Sequence, residues 1–283
     1  MKILKRIVIV FILLILAAAG CIYYAFKIEP FRVSVNEYTL NEEKAGANHL
    51  KIVQISDLHI KADYTYENLD KVIKKVNEQK PDIVIFTGDL YDNYAIYRDD
   101  ENVTSALQKI EAGYGKIALW GNRDYGGGAE RTYAMLMQDA GFNLLKNENY
   151  HLTLDNGKRI LFTGLDDALL GHPVMPEGTK NDGSDFKMLL SHEPDNVDHY
   201  LDYDYDIALS GHSHGGQINI PFLPFINERA LTTSALSSKY GGGMYDFEDA
   251  ELKQLYVNTG IGTTHISARF GVVPEVTLFH VYV

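Results

Sequence analysis

The chain has 283 residues, 46% of them hydrophobic, and a formal net charge of −12; this allows a sizeable core in one large α/β domain or two small ones. Its one cysteine, Cys21, excludes an intrachain disulfide and any zinc site built from cysteines. The acidic balance disfavours a nucleic-acid duplex or an anionic lipid surface as a charge-held partner, and suits a protein that neutralises clustered carboxylates with metal cations.

Lys2, Lys5 and Arg6 precede an uncharged apolar run from Ile7 to Phe26. At about 1.5 Å per residue the run spans about 30 Å, the thickness of a bilayer core. Residues 1–28 are therefore expected to form a single-pass membrane anchor. The leading basic residues favour a cytoplasmic N-terminus, with the rest of the chain on the extracytoplasmic side. A cleaved signal peptide would have a shorter apolar core. Lipidation at Ala18-Ala19-Gly20-Cys21 is the alternative, but the run stays apolar beyond the cysteine. Residues 29–48 read as a tether, with a turn at Asn41–Gly46 and an alternation over Phe31–Leu40 that can add an edge strand. Residues 49–283 form the body.

Leu50–Ser56 is the first strong strand. Leu69, Val72, Ile73 and Val76 recur at helical spacing within Tyr66–Gln79, and Pro81 ends that segment. Ile83, Val84, Ile85 and Phe86 form an unbroken apolar run, as expected for a strand buried on both faces of a helix-covered parallel sheet. Val103–Ile110 and Arg131–Asp139 read as helices, and Ile117–Trp120 as the third strand. This strand–helix–strand order predicts a parallel sheet. Farther on, Tyr150–Leu154 and Arg159–Leu165 flank Asp155-Asn156-Gly157, a hairpin signal. Met188–Ser191, Ile207–Ser210, Gln217–Ile220, Leu255–Asn258 and Val276–Val283 read as strands of a second sheet packed near the first. Pro221–Ile226 is apolar for a loop, and Gly241-Gly242-Gly243 reads as a flexible turn or a lid hinge.

Five of these strands end in residues of metal-ligand type. Ser56-Asp57-Leu58-His59 follows the first, Gly88-Asp89-Leu90-Tyr91-Asp92 the second and Gly121-Asn122-Arg123-Asp124 the third. Ser191-His192-Glu193 and Gly211-His212-Ser213-His214-Gly215-Gly216 follow two strands of the second half. Open α/β sheets bind ligands just outside the carboxyl ends of their strands. Mixed imidazole and carboxylate donors suit Mn, Fe or Zn rather than Ca. Asp57, His59, Asp89, Asn122, His192, His212 and His214 are too many ligands for one ion and fit two ions sharing a carboxylate. His49, His151, His172, His199 and His280 match no motif.

The set Asp-x-His, Gly-Asp-x-x-Asp, Gly-Asn-x-Asp, His and Gly-His-x-His resembles the calcineurin-like metallophosphoesterase superfamily over about residues 50 to 283. The long form Gly211–Gln217, together with the N-terminal anchor, resembles its membrane- or wall-associated bacterial branch. The resemblance implies a four-layer α/β/β/α sandwich of two mixed sheets, preceded by one transmembrane helix. It assigns one ion to Asp57, His59, Asp89 and His214, and the other to Asp89, Asn122, His192 and His212, with Asp89 as the bridge. It implies a metal-activated hydroxide attacking phosphorus, with Asp89, Asn122, Arg123 and Asp124 as the catalytic group. The implied substrates are phosphodiesters or pyrophosphates, lipid- and envelope-linked ones among them. The alternative is a metal-binding envelope protein of the same fold with little catalysis, although such relatives lose ligands and every metal position here is filled.

One position departs from the superfamily. Arg123 stands where most members have a histidine thought to protonate the leaving group. Arginine keeps its charge at any relevant pH, so it can grip phosphate oxygens, with Asp124 to hold it, but cannot donate that proton. Gly121-Asn122-Arg123-Asp124 also resembles the motif of UDP-2,3-diacylglucosamine pyrophosphatases. Arg269, in a loop with Thr263 and His265, is a further candidate for phosphate contact.

Overall fold

The computed structural model describes residues 2–44, 48–180 and 182–283. Helix α1, Lys2–Lys27, is long and apolar enough to cross a membrane. Its side chains are exposed except near its end, where Ala25 is buried. Of the expected turn at Asn41–Gly46, Ala45 and Gly46 lie outside the described residues, and Glu42–Lys44 form a short 3-10 turn.

Two six-stranded sheets follow. The first contains β1 (Ser34–Leu40), β2 (His49–Ile55), β3 (Ile83–Phe86), β4 (Gly115–Ala118) and β5 (Phe142–Leu144). The second contains β6 (Glu148–Thr153), β7 (Arg159–Gly164), β8 (Phe186–Leu190), β9 (Ile207–Ser210), β10 (Gly243–Asp246) and β11 (Gln254–Val257). The last strand, β12 (Glu275–Tyr282), returns to the first sheet, giving the orders β1-β12-β2-β3-β4-β5 and β10-β11-β9-β8-β7-β6. Strands β2 to β5 are parallel, as are β7, β8, β9 and β11; β12 runs antiparallel to β2. The segment expected to be a tether thus supplies β1, which pairs with β12 along its whole length.

The unbroken apolar run of β3 has the cause expected of it. Ile83 and Ile85 join Ile52, Ile117 and Leu119 in the layer between the sheets, against Ile160, Phe162, Met188, Leu190, Ile207 and Leu209. Val84 and Phe86 face the other way, onto α2 (Tyr66–Glu78), α3 (Asp100–Gln108) and α5 (Tyr133–Asp139). Leu69, Val72, Ile73 and Val76 form the buried stripe of α2, and burial of each is worth about 1.5–3 kcal/mol. Thr65 caps that helix in a capping box with Asn68. The fourth layer is thin. The 3-10 helix Pro194–Tyr200 and the loops around Tyr205 and Tyr240 cover the outer face of the second sheet.

Three local expectations change, and one short helix is added. Gln217–Ile220 forms no strand, only one bridge between Ile218 and Phe270, because the backbone is still turning at Gln217, where φ is 58°. The apolar loop from Pro221 opens α6 (Pro224–Thr233), with Pro224 in the first turn, where a missing N–H costs nothing. A short helix, α4 (Asn122–Gly126), starts at the third strand end. The glycine triplet is tied down rather than loose: the amides of Gly241 and Gly242 donate to the Tyr245 hydroxyl, and Ser213 Oγ donates to the Gly241 carbonyl.

Candidate metal centre

The seven expected ligands leave the carboxyl ends of β2, β3, β4, β8 and β9. Because β2-β3-β4 and β8-β9 are adjacent parallel sets in stacked sheets, their ends gather in one place. The backbone there is unusual. Asp57, His59, Asp89, His212 and His214 all adopt left-handed φ, between 43° and 66°. Non-glycine residues seldom do so, and such outliers collect at functional sites. Gly88 has φ 99°, and a Cβ there would lie 2.7 Å from Gly121 N and 2.9 Å from His192 Nδ1. The glycine before Asp89 therefore admits the neighbouring loop and His192.

The ligand atoms close on one another. His214 Nε2 lies 3.0 Å from His59 Nε2 and 3.5 Å from Asp57 Oδ1. His59 Nε2 lies 3.7 Å from Asp57 Oδ1 and 3.3 Å from Asp89 Oδ2. On the other side, His192 Nε2 lies 3.6 Å from Asp89 Oδ1, and His212 Nδ1 lies 3.1 Å from Asn122 Oδ1. Asp57, His59 and His214 form one compact triad; Asp57, Asp89 and His192 form another.

Outer groups fix the imidazoles. His192 Nδ1 donates to the Thr87 carbonyl at 2.6 Å, which leaves Nε2 as the lone-pair nitrogen. His59 Nδ1 meets Asp92 Oδ1 at 3.2 Å, and His212 Nε2 meets the Ala235 carbonyl at 2.8 Å. Such partners set the tautomer and orientation of metal-binding histidines. Asp92, whose place in the motif carried no role, is thereby the orienting carboxylate of His59.

Whether these residues suit a metal can be read from what they lack. Asp57 Oδ1 and His192 Nε2 are buried with no hydrogen-bond partner among the described residues, although buried polar atoms are nearly always paired. Both face the gathered ligands. The charges agree. Burial opposes ionisation of Asp89, but His192 and His59 outweigh it and hold the carboxyl well below its usual range. Asp57 is lowered in the same way, burial being outweighed by His214 and His59. Burial also disfavours charge on His59, yet the surrounding carboxylates of Asp57, Asp89 and Asp92 push it up to about 10. His192 is raised as well, Asp89 overcoming burial, while burial lowers His212 and His214. The site demands positive charge, and a divalent cation satisfies that demand with the donors present.

One expected result follows. In the metal-free protein at neutral pH, His59 carries a proton that a cation must displace. Titration calorimetry with Mn²⁺ in buffers of different ionisation enthalpy should show proton release near pH 7, with apparent affinity rising as pH rises. Binding without proton release would show that the imidazoles are already neutral.

Two side chains take roles other than those expected. Asp124 does not hold Arg123: its carboxylate accepts the amides of Asp89, Leu90 and Gly121 at 2.9–3.0 Å. It pins the β3 and β4 loops together from beneath. Arg123 instead donates Nη2 to Thr264 Oγ1 at 2.9 Å, and its amide to Asp89 Oδ1 at 2.7 Å. Arg269 does not reach toward phosphate. It is fully buried behind His214, with its guanidinium on the carbonyls of Thr259, Gly262 and Val272. His265 does line the site.

The ligands open into a cavity of about 290 Å³ bordered by Arg123, Leu169, Thr264 and His265. The loop carrying Leu169 is held by buried carboxylates that the sequence did not single out. Asp167 accepts the amides of Leu169, Leu170 and Gly171, and Glu193 accepts that of Ala168. Burial and the neighbouring Asp167 raise the Glu193 carboxyl well above its usual range. Beside this cavity, past His212 and His214, a groove of about 470 Å³ runs between α6 and residues 264–266.

Comparison with known proteins agrees with this geometry. The family model for calcineurin-like phosphoesterases matches residues 50–216. The uncharacterized metallophosphoesterase YkuE of Bacillus subtilis is 39% identical over 268 residues, 93% of this chain and 91% of that protein. The UDP-2,3-diacylglucosamine pyrophosphatase LpxG of Chlamydia trachomatis is 28% identical, over 90% of this chain and 91% of its own length. Phosphodiesterase YaeI of Escherichia coli is 25% identical, over 90% of each chain. The strand-end motifs thus have the meaning that their gathering gives them: this chain belongs to the calcineurin-like phosphoesterase family and is a metal-dependent phosphoester hydrolase.

Proposed function

We infer that the protein is a membrane-anchored hydrolase of phosphodiester or pyrophosphate bonds that works with two divalent ions, Mn, Fe or Zn, on the extracytoplasmic side. The observation that carries the two-ion reading is the orientation of Asp89. One of its oxygens faces His59 at 3.3 Å and the other faces His192 at 3.6 Å, so a single carboxylate serves two ligand groups. Asp57, His59, Asp89 and His214 would hold one ion, and Asp89, Asn122, His192 and His212 the other. Bound there, the ions supply Lewis-acid polarisation of the phosphoryl oxygen and acidify water.

The chain's own residues do the rest. Asp92, the Thr87 carbonyl and the Ala235 carbonyl keep three imidazoles oriented. Asp124 fixes the loop that carries Asp89. Arg123, steadied by Thr264, borders the cavity and neutralises phosphoryl oxygens without giving up a proton. That favours leaving groups that need none, such as the phosphate of a pyrophosphate. Two relatives, the pyrophosphatase LpxG and the phosphodiesterase YaeI, support both bond types. Exposed apolar α1 behind Lys2, Lys5 and Arg6 supports the anchor and its orientation.

A hydrolysis panel with the full chain in detergent and Mn²⁺ tests this reading. An aryl diester and a nucleoside diphosphate sugar should be cleaved faster than an alkyl monoester, and a chelator should abolish all turnover. A clear preference for the alkyl monoester would overturn the assignment.

A further inference from the structure

The structure holds an apolar tip that the hydrolytic site does not use. Phe222 is 98% exposed, Phe225 60% and Leu223 41%. Residues 219–226 contain no charged side chain in a chain of net charge −12. The tip is not a loose loop. The Leu223 amide donates to the Ile220 carbonyl, and Asn227 Nδ2 ties the following helix to the carbonyls of Gly215 and Ile218. Phe222 itself sits at φ 68°, a backbone region costly for an aromatic residue, with its ring turned to solvent. Soluble surfaces seldom hold adjacent large apolar groups in that way.

Its position is set by the end of α1. The Arg269 amide donates to the Ala25 carbonyl at 2.9 Å, and the Tyr24 ring meets the Phe270 ring edge-on at 6.2 Å. Phe270 in turn exchanges backbone hydrogen bonds with Gln217 and Asn219. Three Cα-to-Cα steps lead from Asn219 to Phe222, a reach of about 11 Å at most. The tip is therefore next door to the point where the apolar helix meets the body.

We propose that Phe222, Leu223 and Phe225 insert into the lipid bilayer at the headgroup–acyl boundary, so that the catalytic body rests on the membrane through two contacts, α1 and this tip. The proposal rests on the anchor reading above. The occupant is lipid because the exposed apolar tip lies beside the end of α1, the helix long and apolar enough to cross a membrane. Without charge at the tip and with an acidic body, insertion is driven by apolar burial and needs no anionic lipid. Helix α6 carries the tip at its start and lines the groove beside the metal ligands with Ile226 and Ala230. Docking therefore brings that groove to the bilayer surface.

The test uses the full chain in phosphatidylcholine proteoliposomes, with tryptophan fluorescence quenched by brominated lipids. The only native tryptophan, Trp120, is buried and gives the background. Phe222→Trp should be quenched most by lipids brominated near the carbonyl end of the acyl chain, and Leu14→Trp, within α1, most by lipids brominated deeper. Quenching of Leu14→Trp but not of Phe222→Trp overturns the tip and leaves the anchor standing. Quenching of neither removes the anchor and the tip together. A Phe222→Trp emission shift that requires high protein-to-lipid ratio and no bromine contact assigns the patch to a second copy of the chain, and also overturns the proposal.

Discussion

If two ions share Asp89 as proposed, Asp89→Asn should abolish turnover and lower the metal content from two ions per chain to one or none. The substitution keeps the size of the side chain and a carbonyl oxygen for the Arg123 amide, so the loop has no steric reason to move. It removes the charge and one of the two oxygens that face His59 and His192. Loss of groups that merely orient a ligand typically costs about 10–100-fold in affinity or activity; loss of the shared ligand should cost more than that upper figure. Elemental analysis of the purified variant, with aryl diester turnover, checks both parts. Full metal content with wild-type turnover would show that Asp89 bridges nothing.

Arg123→His changes which bonds are cleaved. Turnover of the diphosphate sugar and the aryl diester should fall by about 10²-fold or more, the usual effect of removing a group aimed at developing phosphoryl or carbonyl charge. Alkyl monoesters should be spared or improve, because an imidazole titrates near neutral pH and can hand a proton to a poor leaving group. The ratio of kcat/KM for activated and unactivated esters is the quantity to measure. An equal fall on both classes would mean that Arg123 acts only through charge or packing. Its contact with Thr264, rather than Asp124, makes the second outcome a real competitor.

Much of the centre was legible because the signal repeats. Ile83–Phe86 reads as a buried strand without help from any other segment, and Asp89 follows it directly. When five such strands end in ligand-type residues, parallel topology alone brings the ends together. What stayed hidden depends on contacts across the chain. Nothing near Asp124 says that its oxygens will be taken by the amides of Asp89, Leu90 and Gly121, or that Thr264 will receive Arg123. Arg269 looked available because its loop is glycine-containing and polar; its burial is decided by packing against the end of α1 and behind His214. Strands of three or four residues, such as β5 and β10, are too short to show a period. Gln217–Ile220 alternates, yet it makes a single bridge, Ile218 with Phe270, and no ladder.

The left-handed residues at the ligand positions have a consequence for how this sequence can change. Aspartate, asparagine and histidine are the non-glycine residues that tolerate such a backbone best, so conformation and coordination chemistry select from the same short menu at Asp57, His59, Asp89, His212 and His214. A copy that drifts away from catalysis should therefore retreat first to asparagine or glycine there, and valine or isoleucine should be the rarest replacements.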